Sequence, residues 1–126
     1  MRNDAIRTTL RVTKALSDGQ RIRIMMLLRG GELCVCRVVE VLALAPSTVS
    51  KHLSVLSEAD LVEVRKDGRW AYYRLSQGEA RKTVRPVLKW LEDMLKENET
   101  VIRDGRKLAD ILEKAGCPRK SIAKEC

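Results

Sequence analysis

The sequence predicts a mainly α, α+β fold: a helix-turn-helix followed by a two-stranded wing, with additional N- and C-terminal helices suited to dimerisation. Three observations carry it. A helical pattern breaks at Ala45-Pro46-Ser47 and resumes as a second helix with a small polar face. Asp67-Gly68 separates two strand-like runs. Beyond Pro86, apolar residues keep recurring at helical spacing, more than a winged unit of about 75 residues needs for its own core.

Taken in order, residues 4–16 predict a first helix, with Asn3 or Asp4 as cap and Ile6, Leu10 and Thr13 on one stripe. Ser17 and Asp18 offer the cap of a second helix carrying Ile22, Met25, Met26 and Leu28, which Gly30 and Gly31 stop. Residues 32–44, ELCVCRVVEVLAL, predict a third helix, and Pro46 opens the fourth, which closes at Glu58-Ala59-Asp60. Residues 61–66 and 69–75 are the hairpin strands, and a type I′ loop at Asp67-Gly68 pairs Lys66 with Arg69, Val64 with Ala71 and Val62 with Tyr73. That register puts Val62, Val64, Ala71, Tyr73 and Leu75 on a core face and Glu63, Arg65, Trp70, Tyr72 and Arg74 on the other. A turn at residues 76–79 follows, and Pro86 is expected in the first turn of the next helix. Val87, Leu88, Leu91, Met94 and Leu95, then Val101, Ile102, Leu108, Ile111 and Leu112, carry the helical pattern to Gly116. The final stretch, PRKSIAKEC, has little pattern.

Composition narrows the class. The chain has 126 residues, no phenylalanine and a formal net charge of +8, so an aliphatic core and a polyanionic partner are expected. The longest wholly apolar run, residues 24–28, is far below the roughly 20 residues a membrane span needs. With no secretory leader read at the N-terminus, the four cysteines are expected as thiols in a reducing cytoplasm. The single histidine, His52, has neither a neighbouring carboxylate nor a nucleophile at catalytic spacing, so no enzyme is expected.

The fourth helix has two unlike faces. Val49, Leu53 and Leu56 fall on one side, and Ser47, Ser50, Lys51 and Ser54 on the other. Short hydroxyl side chains let a helix lie deep in a groove about 12 Å wide, where base edges are within reach. A hairpin directly after such a helix, with Arg65, Lys66 and Arg69 at or near its tip, reads as a wing that meets phosphate. Residues 1–97 therefore form the expected winged helix-turn-helix DNA-binding and dimerisation domain, and residues 98–126 a C-terminal helical extension and tail. A two-fold pair would set two recognition helices one DNA turn apart.

Cys34-Val-Cys36 is the one soft-ligand pair. On a regular helix, residues two apart point about 200° from each other, whereas two sulfurs on one ion lie within ~4.6 Å by the zinc–thiolate guide. Ion capture is therefore expected to distort the start of the third helix and, through it, the recognition helix. Other readings of the dithiol are a redox or persulfide sensor, in which oxidation of the pair or linkage to Cys117 is the trigger, and a dithiol oxidoreductase, which the Cys-x-Cys spacing disfavours. An effector-independent winged module is the remaining alternative.

ELCVC at residues 32–36, PSTVSKHLSVLSEADLV at 46–62 and RKDGRWAYYRL at 65–75 resemble the ArsR/SmtB metalloregulatory repressors, most closely the arsenic-responsive branch, over roughly residues 10–95. The resemblance implies a homodimeric repressor, with no permanent cofactor, that leaves its operator DNA when trivalent arsenic or antimony binds thiolates. By position, Cys34 and Cys36 match the inducer ligands, and Ser47, Thr48, Ser50, Lys51 and His52 lie where the family reads DNA. Members with this motif often carry a third cysteine where this chain has Val39. The histidine of the zinc-sensing last helix and the N-terminal cysteines of the cadmium and lead sensors have no counterpart here. For a third thiolate, Cys117, between Gly116 and Pro118, is favoured over the terminal Cys126, which costs more entropy to order.

Overall fold

A computed structural model describes residues 2–115 of the chain. Cys117, Cys126 and the PRKSIAKEC stretch lie outside the described residues. The elements run α1 (Arg2–Ala15), α2 (Gly19–Leu28), β1 (Leu33–Cys34), α3 (Val35–Leu42), α4 (Pro46–Glu58), β2 (Val62–Asp67), β3 (Trp70–Leu75), a 3-10 turn at Gly78–Ala80, α5 (Arg81–Leu95) and α6 (Glu99–Lys114). No helix among the described residues is long and apolar enough to cross a membrane.

The apolar run at residues 24–28 makes α2 the centre of the molecule. Ile24, Met25, Met26, Leu27 and Leu28 are all buried, and five consecutive apolar residues circle a helix of 3.6 residues per turn, so this end of α2 needs neighbours on every side. α3, α4, α5 and α6 pack around it, and β3 closes the remaining side. Asp18 starts α2 as foreseen: its carboxylate accepts from the Gln20 N–H at 2.7 Å. A bidentate ion pair crosses this apolar packing. Arg23 of α2 donates through Nε and Nη2 to the two carboxylate oxygens of Asp104 on α6, 2.8 Å each, and Asp104 is buried. Val101, Leu108 and Leu112 of α6 join the same core.

The helix-turn-helix forms where expected. Ala43 ends α3 in the left-handed conformation (φ 55°), and Pro46 occupies the first turn of α4. Val49, Leu53 and Leu56 fix α4 to the core.

Four sequence expectations are corrected. The third helix does not start at Glu32: Leu33 and Cys34 form a strand, and α3 begins only at Val35. The wing sheet therefore has three antiparallel strands in the order β1-β3-β2. The hairpin loop is Gly68-Arg69, with Asp67 paired to Trp70, Lys66 to Ala71, Val64 to Tyr73 and Val62 to Leu75. Within this loop only Gly68 takes a positive φ (62°), the requirement of a type II′ turn, whereas type I′ would force Arg69 into the left-handed region as well. The slip is two residues, so each side chain keeps its face, but burial follows the third strand: Tyr72 is buried and Val64 exposed. Finally, Pro86 lies inside α5. It sits on the exposed side of the helix, where the carbonyl it leaves without a partner is open to water.

Asp104→Ala should lower unfolding stability by about 2 kcal/mol, because it leaves the part-buried Arg23 guanidinium without its carboxylate, with only Gln20 Oε1 accepting from it at 2.8 Å. Urea denaturation checks this, and a change below roughly 0.5 kcal/mol would remove the pair from the forces that hold α6.

Candidate DNA interface and dithiol site

The exposed surface of α4 carries Ser47, Thr48, Ser50 and Lys51, with Ser54 one turn on. No side chain caps this helix at Ala45. Pro46 has no N–H, and the Thr48 and Val49 N–H groups donate to the Ala45 carbonyl at 3.0 and 3.1 Å, so it is chiefly the exposed hydroxyls and Lys51 that this surface offers to phosphate and base edges. His52 is placed differently. It is half-buried, and its Nδ1 lies 3.3 Å from Arg21 Nη1, while the Arg21 guanidinium also donates to the carbonyls of Ala15 (2.6 Å) and Lys14 (3.3 Å). His52 thus ties α4 to the turn between α1 and α2.

The wing divides its cations in the same way. Lys66 and Arg69 are exposed at the tip. Arg65 is turned inward, donating to both carboxylate oxygens of Glu32 at 3.1 and 2.8 Å, with its guanidinium carbon 4.6 Å from the centroid of the Tyr72 ring. The Glu32 carboxylate holds the Arg65 guanidinium in its charged form.

The dithiol sits where the wing meets the helix-turn-helix. Cys34 is the last residue of β1 and also the N-cap of α3, its sulfur accepting from the Cys36 N–H at 3.3 Å. The Cys36 thiol donates to Cys34 Sγ at 2.6 Å. This corrects the expectation that the thiols oppose each other: the divergence of about 200° holds only inside a helix, and Cys34 stands before it in an extended conformation (φ −65°, ψ 143°). No unwinding is needed to bring the sulfurs within the ~4.6 Å span of one ion. Burial, then the hydrogen bond to Cys34, pushes the Cys36 thiol up to about 11. Arg37, paired with Glu40 at 2.7 Å, borders the site. Among the described residues, no third His, Cys, Asp or Glu joins the pair as a metal-holding group.

Strand pairing adds a residue that sequence reasoning missed. Cys34 pairs with Tyr72 and Tyr72 with Arg65, so these three side chains form a row on one face of the sheet. Tyr72 is only 4% exposed, and its hydroxyl has no hydrogen-bond partner among the described residues. Leaving such a group unpaired costs about 1–3 kcal/mol. A two-residue strand has no periodicity to read, so neither β1 nor the burial of Tyr72 was legible.

On α1 and α5 four large apolar side chains stay uncovered among the described residues: Ile6 and Leu10 of α1, 60% and 61% exposed, and Trp90 and Met94 of α5, 58% and 64%. The stripe predicted for the first helix therefore faces outward, while Val12 and Ala15 hold α1 to the core.

Residues 18–64 match the model of the bacterial regulatory proteins of the arsR family. An arsenic resistance transcriptional regulator of Pseudomonas putida is 35% identical over 113 residues, covering 85% of this chain and 82% of that one. An arsenical resistance operon repressor of Escherichia coli is 41% identical over 68 residues, 53% of this chain and 58% of that one. Among solved structures, the homodimeric winged helix-turn-helix DNA-binding domain of a possible ArsR-family regulator from Mycobacterium bovis superposes with a TM-score of 0.65 at 28% identity, covering 77% of this chain and 86% of that one. HlyU from Vibrio cholerae gives 0.64 at 28%, covering 75% and 97%. Fold and family are those of DNA-binding transcriptional regulators and not of enzymes, and the chain belongs to the arsR family of bacterial regulatory proteins.

Proposed function

We propose that this protein is a homodimeric repressor, released from its operator when trivalent arsenic or antimony binds Cys34 and Cys36. The observation that carries the reading is the placement of the two thiols: 2.6 Å apart, one in the strand bonded to the wing and one in the first turn of the helix-turn-helix. An ion on both sulfurs acts on the two DNA-contacting elements together. Cys117 is proposed as the third thiolate, since Val39 occupies the place of the family's third cysteine.

The DNA contacts proposed are base-edge contacts from Ser47, Thr48 and Ser50, and phosphate contacts from Lys51, Lys66 and Arg69. His52 and Arg65, which the resemblance and the wing pattern assigned to DNA, hold internal partners and would serve by positioning α4 and the wing. The dimer is proposed to form through Ile6, Leu10, Trp90 and Met94, whose exposure leaves apolar surface that pairing of two chains would cover. The homodimeric M. bovis relative supports this.

A redox reading uses the same contact, since adjacent thiols can be oxidised together. Titrating the operator complex with arsenite under reducing conditions separates the two, because only the ion-dependent repressor is released there.

Cys34→Ser and Cys36→Ser should each keep operator binding and lose its release by arsenite. Serine is a strong N-cap, so Cys34→Ser preserves the start of α3; loss of operator binding would mean the cysteine is structural. Arg69→Ala should weaken operator binding and flatten its log–log salt slope by about 0.9, one phosphate contact. An unchanged slope would take the wing tip out of the interface. Leu10→Glu and Met94→Glu should each raise the dimer dissociation constant at least about tenfold in sedimentation equilibrium, and unchanged dimers would exclude α1 and α5 as the interface.

A further inference from the structure

The Tyr72 hydroxyl is buried, lacks a partner among the described residues and belongs to the row that begins at Cys34. Its ring is fixed on one side by the Arg65 guanidinium, itself held by Glu32 two residues before Cys34. A buried hydroxyl without a partner, on the residue paired across the sheet with Cys34, is a hydrogen-bond donor that what the thiols capture can satisfy.

Arsenious acid leaves an acceptor there. When As(OH)3 condenses with two thiols, two As–O bonds break and two As–S bonds form. Each departing hydroxyl takes one thiol proton and leaves as water. Arsenic stays trivalent, and one hydroxyl remains on it until a third thiol displaces that as water. We propose that Tyr72 is a specificity-determining residue of the inducer site, donating its hydroxyl proton to the oxygen that remains on arsenic in the two-thiolate adduct. This rests on the dithiol reading and adds to it. The site then distinguishes arsenicals by their third substituent: a monomethylated species, CH3As(OH)2, loses both hydroxyls to the two thiols and offers Tyr72 a methyl group in place of an acceptor. A pocket that hydrogen-bonds a ligand oxygen discriminates strongly against the analogue that lacks it.

The test uses the full chain carrying Cys117→Ser and Cys126→Ser, so that the third position stays open, with and without Tyr72→Phe. Affinities for arsenite and for methylarsonous acid are measured by equilibrium binding. Phenylalanine keeps the ring and its contact with Arg65, so packing is retained. The proposal expects Tyr72→Phe to weaken arsenite binding about tenfold and to leave methylarsonous acid binding within about twofold or tighter. An equal loss for both ligands would reduce Tyr72 to a structural role and overturn the proposal, as would an unchanged arsenite affinity or a loss confined to the methylated ligand. If the parent chain binds neither arsenical, the dithiol reading falls and this one with it; binding of methylarsonous acid that Cys34→Ser abolishes keeps the dithiol reading standing even where the Tyr72 proposal fails.

Discussion

The structure depends on the burial of the C-terminal half of α2. Five consecutive buried side chains, Ile24 to Leu28 in sequence, cannot be satisfied by one neighbour, and the burial of a side chain of this size stabilises by about 1.5–3 kcal/mol. The chain meets the demand by wrapping α3, α4, α5 and α6 around this helix, with β3 against the remaining side. α4 is thereby held by its apolar side, and its hydroxyl-bearing side is left outward. The same packing covers most of the apolar face of α6, so the apolar helical surface left uncovered lies chiefly on α1 and α5.

A second constraint places the dithiol. Cys34 belongs to two elements, as a strand residue whose pairing with Tyr72 joins the wing and as the N-cap of α3. The thiols therefore sit at the joint between the two parts proposed to touch DNA. Coupling does not need the helix to unwind, as the spacing on an ideal helix suggested. It needs only a change at Cys34 that strand and helix both feel, and the Glu32–Arg65–Tyr72 arrangement gives such a change a direct path into the wing.

What was legible in the sequence follows from the range of the forces involved. The helix-turn-helix, the cap at Asp18, the glycine stop after α2 and the opposed faces of α4 are written in local periodicity and turn chemistry, and the structure has them. The grouping of hairpin side chains by face held because the slip was two residues, but burial did not follow the expected core face, with Tyr72 buried and Val64 exposed, and the turn type was misread, since Asp-Gly serves two hairpin turns that differ in where the glycine sits. β1, the buried Tyr72, the Glu32–Arg65 pair and the Arg23–Asp104 pair arise from contacts between segments far apart in the chain, which no local pattern announces. At the candidate site, Cys34 and Cys36 were visible as residue types, whereas their close approach depends on where α3 starts, the kind of boundary that sequence patterns locate least well.

The central claim is that ion capture at Cys34 and Cys36 and operator binding by α4 and the wing are coupled through that joint. The most direct measurement is the affinity of the reduced, full-length protein for arsenite, determined with and without saturating operator DNA. Linkage requires that operator weaken arsenite binding by the same factor by which arsenite weakens operator binding. A switch from nearly full to nearly empty occupancy requires that factor to approach ~10⁴. A large and reciprocal factor is the result the account predicts; equal arsenite affinity with and without operator would contradict it.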